Sequence, residues 1–189
     1  MTTAPPSVWP AREDTALLIV DMQERLLPAM PEKPRALMLR NTGILIETAK
    51  SFGIPILVSE QYPKGLGPTV PEIREAIGEM APVEKTIFSA ARDEGFQQRL
   101  KESGRSTFIL TGVENHVCVL QTALDLAADG KSVWVARDAT CSRTEENWKA
   151  GCALMAEGGV HISTTEILVF QLLREAGTEA FKKISKLVR

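Results

Sequence analysis

The sequence predicts an α/β protein with a mainly parallel, doubly wound sheet between two helical layers, a three-layer α/β/α arrangement. Three observations lead there. Short apolar runs bounded by polar residues recur along the chain, and each suits a strand buried on both faces. Between them lie segments whose apolar residues return at helical spacing. Strands alternating with helices make parallel βαβ units, which cover both faces of one sheet.

The elements follow in order. TALLIVD (15–21) is a continuous apolar run closed by an acid, the first strand. Over residues 34–52, beginning at Pro34, the residues Met38, Leu45, Ala49 and Phe52 mark one helical face, and Gly53 supplies the stop. IPILVS (54–59) is a second buried strand. QYPKGLGPTVP (61–71) is rich in Gly and Pro and reads as a loop. A short helix over 71–79 and an extended piece over 82–88 come next. A helix over 93–103 then leads to a strand in STFILTGV (106–113). A helix over 116–129, a strand in SVWVARDA (132–139), a helix over 145–157 and a last strand in VHIST (160–164) continue the alternation. Residues 165–188 read as one or two helices broken near Gly177.

The chain of 189 residues suits one domain over 14–189, preceded by an irregular arm over 1–13. A formal net charge of −2 offers no basic patch and argues against nucleic acid as a partner. Three cysteines at 118, 141 and 152 do not form a disulfide framework, which fits a reducing cytoplasm. The first residues lack the basic and apolar regions of a secretory signal. No apolar run approaches the roughly 18 residues of a membrane span.

In doubly wound sheets, ligands bind beyond the carboxyl ends of the strands. That rule selects Asp21, Ser59, Glu60, Lys85, Glu114 to Cys118, and Asp138. Asp21 alone reads as a solvated strand-end acid, and Lys85 alone as a surface lysine. Cys118 is more informative. With Asn115 as helix cap it falls in the first turn, where unpaired N–H groups favour a thiolate. It lies off the apolar row Val117, Leu120, Leu124 and Ala127. Cys152, by contrast, shares a face with Trp148 and Met155 and reads as core, while Cys141 lies in a polar loop near the rim. If the sheet gathers Asp21, Lys85 and Cys118, the lysine favours the thiolate and the acid takes the thiol proton. That is a nucleophilic triad without histidine.

The stretches TALLIVDMQ, VEKTIFSA and TGVENHVCVLQTALDLAADG, in that order, resemble the isochorismatase-like cysteine hydrolases, which include nicotinamidases and N-carbamoylsarcosine amidases. SEQYPKGLGPTVPE looks like the isochorismatase-domain-containing subgroup. The resemblance implies the Rossmann-like, isochorismatase-like hydrolase fold, with Asp21 as acid, Lys85 as lysine and Cys118 as nucleophile. It also implies a non-proline cis peptide at Val113–Glu114, an oxyanion hole made by the N–H groups of Glu114 and Cys118, and homo-oligomers of two or more chains.

Gln61 and Tyr62 are candidate substrate contacts in a loop that is either a lid or a packed rim. Gln23 either lines the pocket or makes local hydrogen bonds. Phe88 is an apolar wall or a core residue, with core packing preferred. His116 either touches substrate or is a satisfied structural group, with the second preferred. Asp138 is expected to cap the next turn.

The sequence departs from the nicotinamidase pattern. Where those enzymes bind a metal through Asp-x-His, this chain has SEQYPKGLGP, and its two histidines are His116 and His161. No metal and no cofactor are expected. The first strand is followed by DMQERL instead of the Gly-rich turn of a dinucleotide-binding protein. The expected activity is hydrolysis of a small amide, imide or related acyl substrate through a cysteine thioester. The rivals are a non-catalytic binding protein that retains the fold and a vinyl-ether hydrolase of the isochorismatase type.

Overall fold

The computed structural model describes residues 9–79 and 81–188. Most of the expected N-terminal arm, residues 1–8, therefore lies outside the described residues. Arg12, in a turn of 3₁₀ helix (Arg12–Asp14), donates to the carbonyls of Leu172 and Leu173 and lies over the ring of Phe52 at 4.1 Å.

Among the described residues, six strands form one parallel sheet: β1 (Thr15–Val20), β2 (Ile56–Gln61), β3 (Val83–Lys85), β4 (Thr107–Gly112), β5 (Ser132–Thr140) and β6 (His161–Ser163). Their order is β3-β2-β1-β4-β5-β6. The chain winds one way from β1 and the other way from β4. The crevice between those two strands is thus the switch point where such sheets bind ligands.

Residues alternate cleanly across β1. Leu17 and Ile19 pack on one face with Met38, Leu45 and Ala49 of α1 (Glu32–Phe52) and Leu168 and Leu172 of α7 (Thr165–Leu173). Leu18 and Val20 face the other way. They pack with Phe96 of α4 (Glu94–Ser103), Ala123 and Leu126 of α5 (Leu120–Ala128) and Met155 of α6 (Glu145–Glu157). This is the expected three-layer fold, and among the described residues no helix is long and apolar enough to cross a membrane.

Boundaries shift for identifiable reasons. Pro34 sits inside the first turn of α1, where its missing N–H costs nothing. Gly53 ends α1 in the left-handed conformation at φ +64°, as expected. Ile54 closes onto Ala49, so β2 starts at Ile56. The expected loop over 61–71 contains one helical turn, α2 (Pro63–Leu66), before α3 (Pro71–Ile77). In the tail, α8 (Glu179–Ile184) follows the break at Gly177, where φ is +83°.

The main correction concerns the stretch before α5. Glu114, not Asn115, is the cap, and Asn115–Val119 form a wider π-helical turn. Cys118, Val119, Thr122, Ala123 and Leu126 recur at helical spacing and point inward, while Val117, Leu120, Leu124 and Ala127 are only partly buried. Cys118 is on the buried face, contrary to the expected row.

Gly112 sets how closely β4 approaches β1 beneath this turn. Its φ is +120°, and an added Cβ would lie 2.0 Å from the carbonyl oxygen of Val20. Gly112→Ala combines backbone strain with a clash against main chain, so it is expected to destabilise by about 3 kcal/mol or more. Denaturant unfolding checks this, and a midpoint equal to wild type would refute it.

Candidate active site

Asp21 follows β1 directly and is fully buried at φ +52°, a left-handed conformation that a short polar side chain tolerates. Its Oδ1 accepts from Ser59 Oγ at 2.7 Å, and its Oδ2 accepts from Lys85 Nζ at 2.7 Å. Ser59 lies within the neighbouring strand β2, and Lys85 ends β3 one strand further out. The Lys85 ammonium also donates to Gln61 Oε1 at 2.6 Å and to the carbonyls of Phe88 at 3.1 Å and Ile87 at 3.4 Å. It is thus a buried ion pair ringed by acceptors, the condition under which such a pair is tolerated.

Cys118 completes the cluster from the far side of the switch point. It is 6% exposed, and the charges of Asp21 and Lys85 both act on its thiol. Burial first, then the Asp21 carboxylate, push the thiol up to about 12, with Lys85 pulling the other way. The resting group is therefore a neutral thiol, not the thiolate expected from the helix start and the lysine. Desolvation and the adjacent carboxylate outweigh them.

The pH consequence has a definite sign. With the pKa raised, the thiolate fraction at pH 7 is only about 10⁻⁵, and it grows about tenfold per pH unit. Alkylation of Cys118 by iodoacetamide, read by peptide mass, is expected to rise through pH 10 without a plateau. Asp21→Asn removes one of the raising influences and should move the profile to lower pH. A plateau near pH 8 in the wild type would contradict this environment.

Next to the thiol, the Val113–Glu114 peptide is cis. The Glu114 carbonyl accepts the N–H groups of Val117 at 3.0 Å and Val119 at 3.2 Å, but not that of Cys118 between them. Glu114's own N–H has no backbone acceptor among the described residues. Burial pushes the Glu114 carboxyl up, but the hydrogen bonds and charge of Arg143 more than offset this and hold it below its usual range. Thr122 Oγ1, one turn beyond Cys118, accepts from Ala90 N at 2.9 Å and ties the segment after Lys85 to α5.

The remaining candidates separate. Gln23 is fully buried, with its amide engaged by backbone: Nε2 donates to the carbonyls of Gln61 (3.0 Å) and Gly67 (2.7 Å), and Oε1 accepts from Gln61 N (2.7 Å). It is a clamp, not a pocket wall. Gln61 reaches Lys85 with Oε1 and Thr86 O with Nε2, so it orients the lysine. Tyr62 is exposed, donates its N–H to Lys85 O at 2.8 Å, and lays its ring over Gly65, where a Cβ would fall 2.6 Å from it.

Phe88 is exposed instead of packed in the core, because its carbonyl turns in to Lys85. His116 is half-buried with Nδ1 3.0 Å from Ser142 Oγ. Asp138 accepts from Thr165 N and Oγ1 at the start of α7, not from the turn that follows its own strand. Cys152 is only half-buried against Asn115, whereas Cys141 is buried.

The Gly- and Pro-rich segment is a fixed rim. Glu60 Oε1 holds Thr69 N and Oγ1, both at 2.7 Å, and Val70 N bonds to Met22 O at 2.8 Å. Among the described residues no cluster of three His, Cys, Asp or Glu is arranged to hold a metal ion. Sequence reasoning gave Ser59 no role and missed Arg143 altogether. Its signal was the position of CSR just after a strand, by the same rule that found Cys118.

A doubly wound parallel sheet whose switch point gathers a buried acid, lysine and cysteine defines a class of α/β protein, within which comparison with known proteins is specific. The isochorismatase domain model matches residues 15–167, and the chain belongs to that family. Isochorismatase domain-containing protein 2A of Mus musculus is 37% identical over 180 residues, covering 94% of this chain and 84% of the relative. The MAR1 ribonuclease structure from Caenorhabditis elegans superposes with a TM-score of 0.87 at 34% identity, covering 96% of this chain and 92% of that one. The YcaC gene product of Escherichia coli, an octameric hydrolase of unknown specificity, has the same fold. Its TM-score is 0.90 at 24% identity, covering 97% of this chain and 92% of that one.

Proposed function

We propose that this protein is a cysteine hydrolase of small amides, imides or related acyl compounds. The observation that supports this best is the convergence of Asp21, Lys85 and Cys118 at one switch point, with both charges acting on the thiol. The thiol proton passes to Asp21 as sulfur bonds to the substrate carbonyl carbon. The carbonyl electron pair moves to oxygen, where the N–H groups of Glu114 and Cys118 receive it. Collapse breaks the bond to the leaving group, which takes the proton from Asp21, and a thioester remains. Water then attacks while Asp21 takes its proton. The second collapse expels sulfur, and the proton returns to it. Lys85 holds the Asp21 carboxyl in place as the proton comes and goes.

The substrate we infer is small and uncharged at its reacting end, because the Lys85 ammonium is already ringed by acceptors. Tyr62, Phe88 and His116 supply the wall around it. Phosphodiester cleavage, which the name of the nematode relative suggests, is less well supported, since a phosphate needs a free cation at the reacting atoms. Exposed Ile87 and Phe88 beside the site, together with the octameric relative, support a homo-oligomer.

The test is a panel of amides, imides, esters and RNA with the wild-type protein, read by product formation and by intact mass. A transient acyl adduct on Cys118 is expected. Labelling confined to Cys141 or Cys152, with no turnover above a Cys118→Ala control, would overturn the proposal. RNA cleavage without acyl turnover would replace it.

A further inference from the structure

We infer that Arg143 is the positioning residue of the oxyanion-binding turn, acting through Glu114. This rests on the acyl-transfer reading above. Glu114 offers the N–H proposed to receive the developing negative charge, and its carboxylate, with a side chain only 6% exposed, lies under the guanidinium of Arg143. The grip is bidentate: Arg143 Nη2 donates to Oε1 at 2.7 Å, and Nε lies 3.1 and 3.0 Å from the two oxygens. Arg143 N adds a longer contact to Oε2 at 3.4 Å. A planar fork on a carboxylate fixes orientation as well as distance.

The surrounding ties show why this pair governs the turn. Residues 141–143 run beside residues 112–116 and bond to them repeatedly. Cys141 N donates to Gly112 O at 3.2 Å, Asn115 N donates to Cys141 O at 2.8 Å, and His116 Nδ1 lies 3.0 Å from Ser142 Oγ. The first two hold main chain to main chain. The Arg143 pair restrains the side chain of Glu114, the residue between Val113 and the turn bearing Cys118. Nε and Nη2 are both engaged by Glu114, so the guanidinium acts on the turn. Its side chain is 62% exposed. A pair open to water on one side contributes little to stability, whereas small displacement of an oxyanion donor is costly to the reaction.

The experiment uses two probes on the full chain. p-Nitrophenyl acetate acylates the thiol through an oxyanion. Iodoacetamide alkylates the same sulfur by displacing iodide from a saturated carbon and forms none. Arg143→Gln is expected to slow acylation of Cys118 by about 10- to 100-fold, while iodoacetamide reacts within twofold of wild type. For acetate turnover the loss should fall on kcat, with KM changed by less than threefold. Glu114→Gln and the double variant should fall to the same level as Arg143→Gln, because the two residues act as one device. Arg143→Lys should recover part of the rate.

Acylation unchanged in Arg143→Gln would overturn the inference. So would equal losses with both probes, which would mean a disturbed thiol or fold, and so would additive losses in the double variant, which would mean Arg143 acts on its own. A wild type that is alkylated at Cys118 but never acylated there would sink the acyl-transfer reading itself, an outcome distinct from all of these.

Discussion

Cys118→Ala is expected to fold and to lose about 10⁴-fold or more in turnover on any substrate the wild type accepts. The change removes one sulfur from a site closed by its neighbours, so the stability cost should be about 1 kcal/mol. Asp21 keeps Ser59 and Lys85 as partners in the variant, leaving its charge compensated. Activity and thermal unfolding measured on one preparation separate the two effects. A folded Cys118→Ala protein with wild-type turnover would end the nucleophile assignment.

Lys85→Met is expected to be the most damaging single change to the fold around the site. It strands the Asp21 carboxylate, fully buried, with Ser59 as its remaining partner. Removing one member of a buried ion pair costs about 3–5 kcal/mol. For a chain of this length that lowers Tm by about 6–20 °C. Asp21→Asn should act in the same direction by stranding the ammonium, although Gln61, Ile87 and Phe88 still accept from it. The double variant carries neither charge, so it should regain much of the loss in Tm while remaining inactive. If Lys85→Met melted with the wild type, the pair would not be the buried, charged unit described above.

The three reactive groups were legible because each lies at or shortly after the end of a strand, and in a parallel sheet such ends converge. The helical face of α1 was legible too, because Met38, Leu45 and Ala49 repeat at the period of a helix. What local pattern could not give was direction. Asp21 and Tyr62 sit at φ +52° and +38°, and those angles decide which way each side chain leaves the strand. The same limit hid the roles of Gln23 and Gln61, whose amides are engaged by segments distant in sequence. At Cys118 the obstacle was side-chain size: the large apolar residues Val117, Leu120 and Leu124 mark a face that is only partly buried, whereas the buried face carries the smaller Cys118, Thr122 and Ala123. Arg143 escaped because an arginine in a polar loop carries no periodic signal, and its partner is 29 positions away.

The pairing of Asp21 with Lys85 has a consequence for the charge of the whole cluster. With a neutral thiol, a carboxylate and an ammonium, the resting triad sums to zero. When the thiol proton moves to Asp21, a thiolate, a neutral acid and an ammonium also sum to zero. The negative charge migrates a few ångströms around a stationary positive one, and no net charge is created inside the protein. Such a step needs no counter-ion drawn in from solvent and calls on the buried surroundings to stabilise only a shift of dipole. Ionic strength should therefore have little influence on the acylation rate of an uncharged substrate.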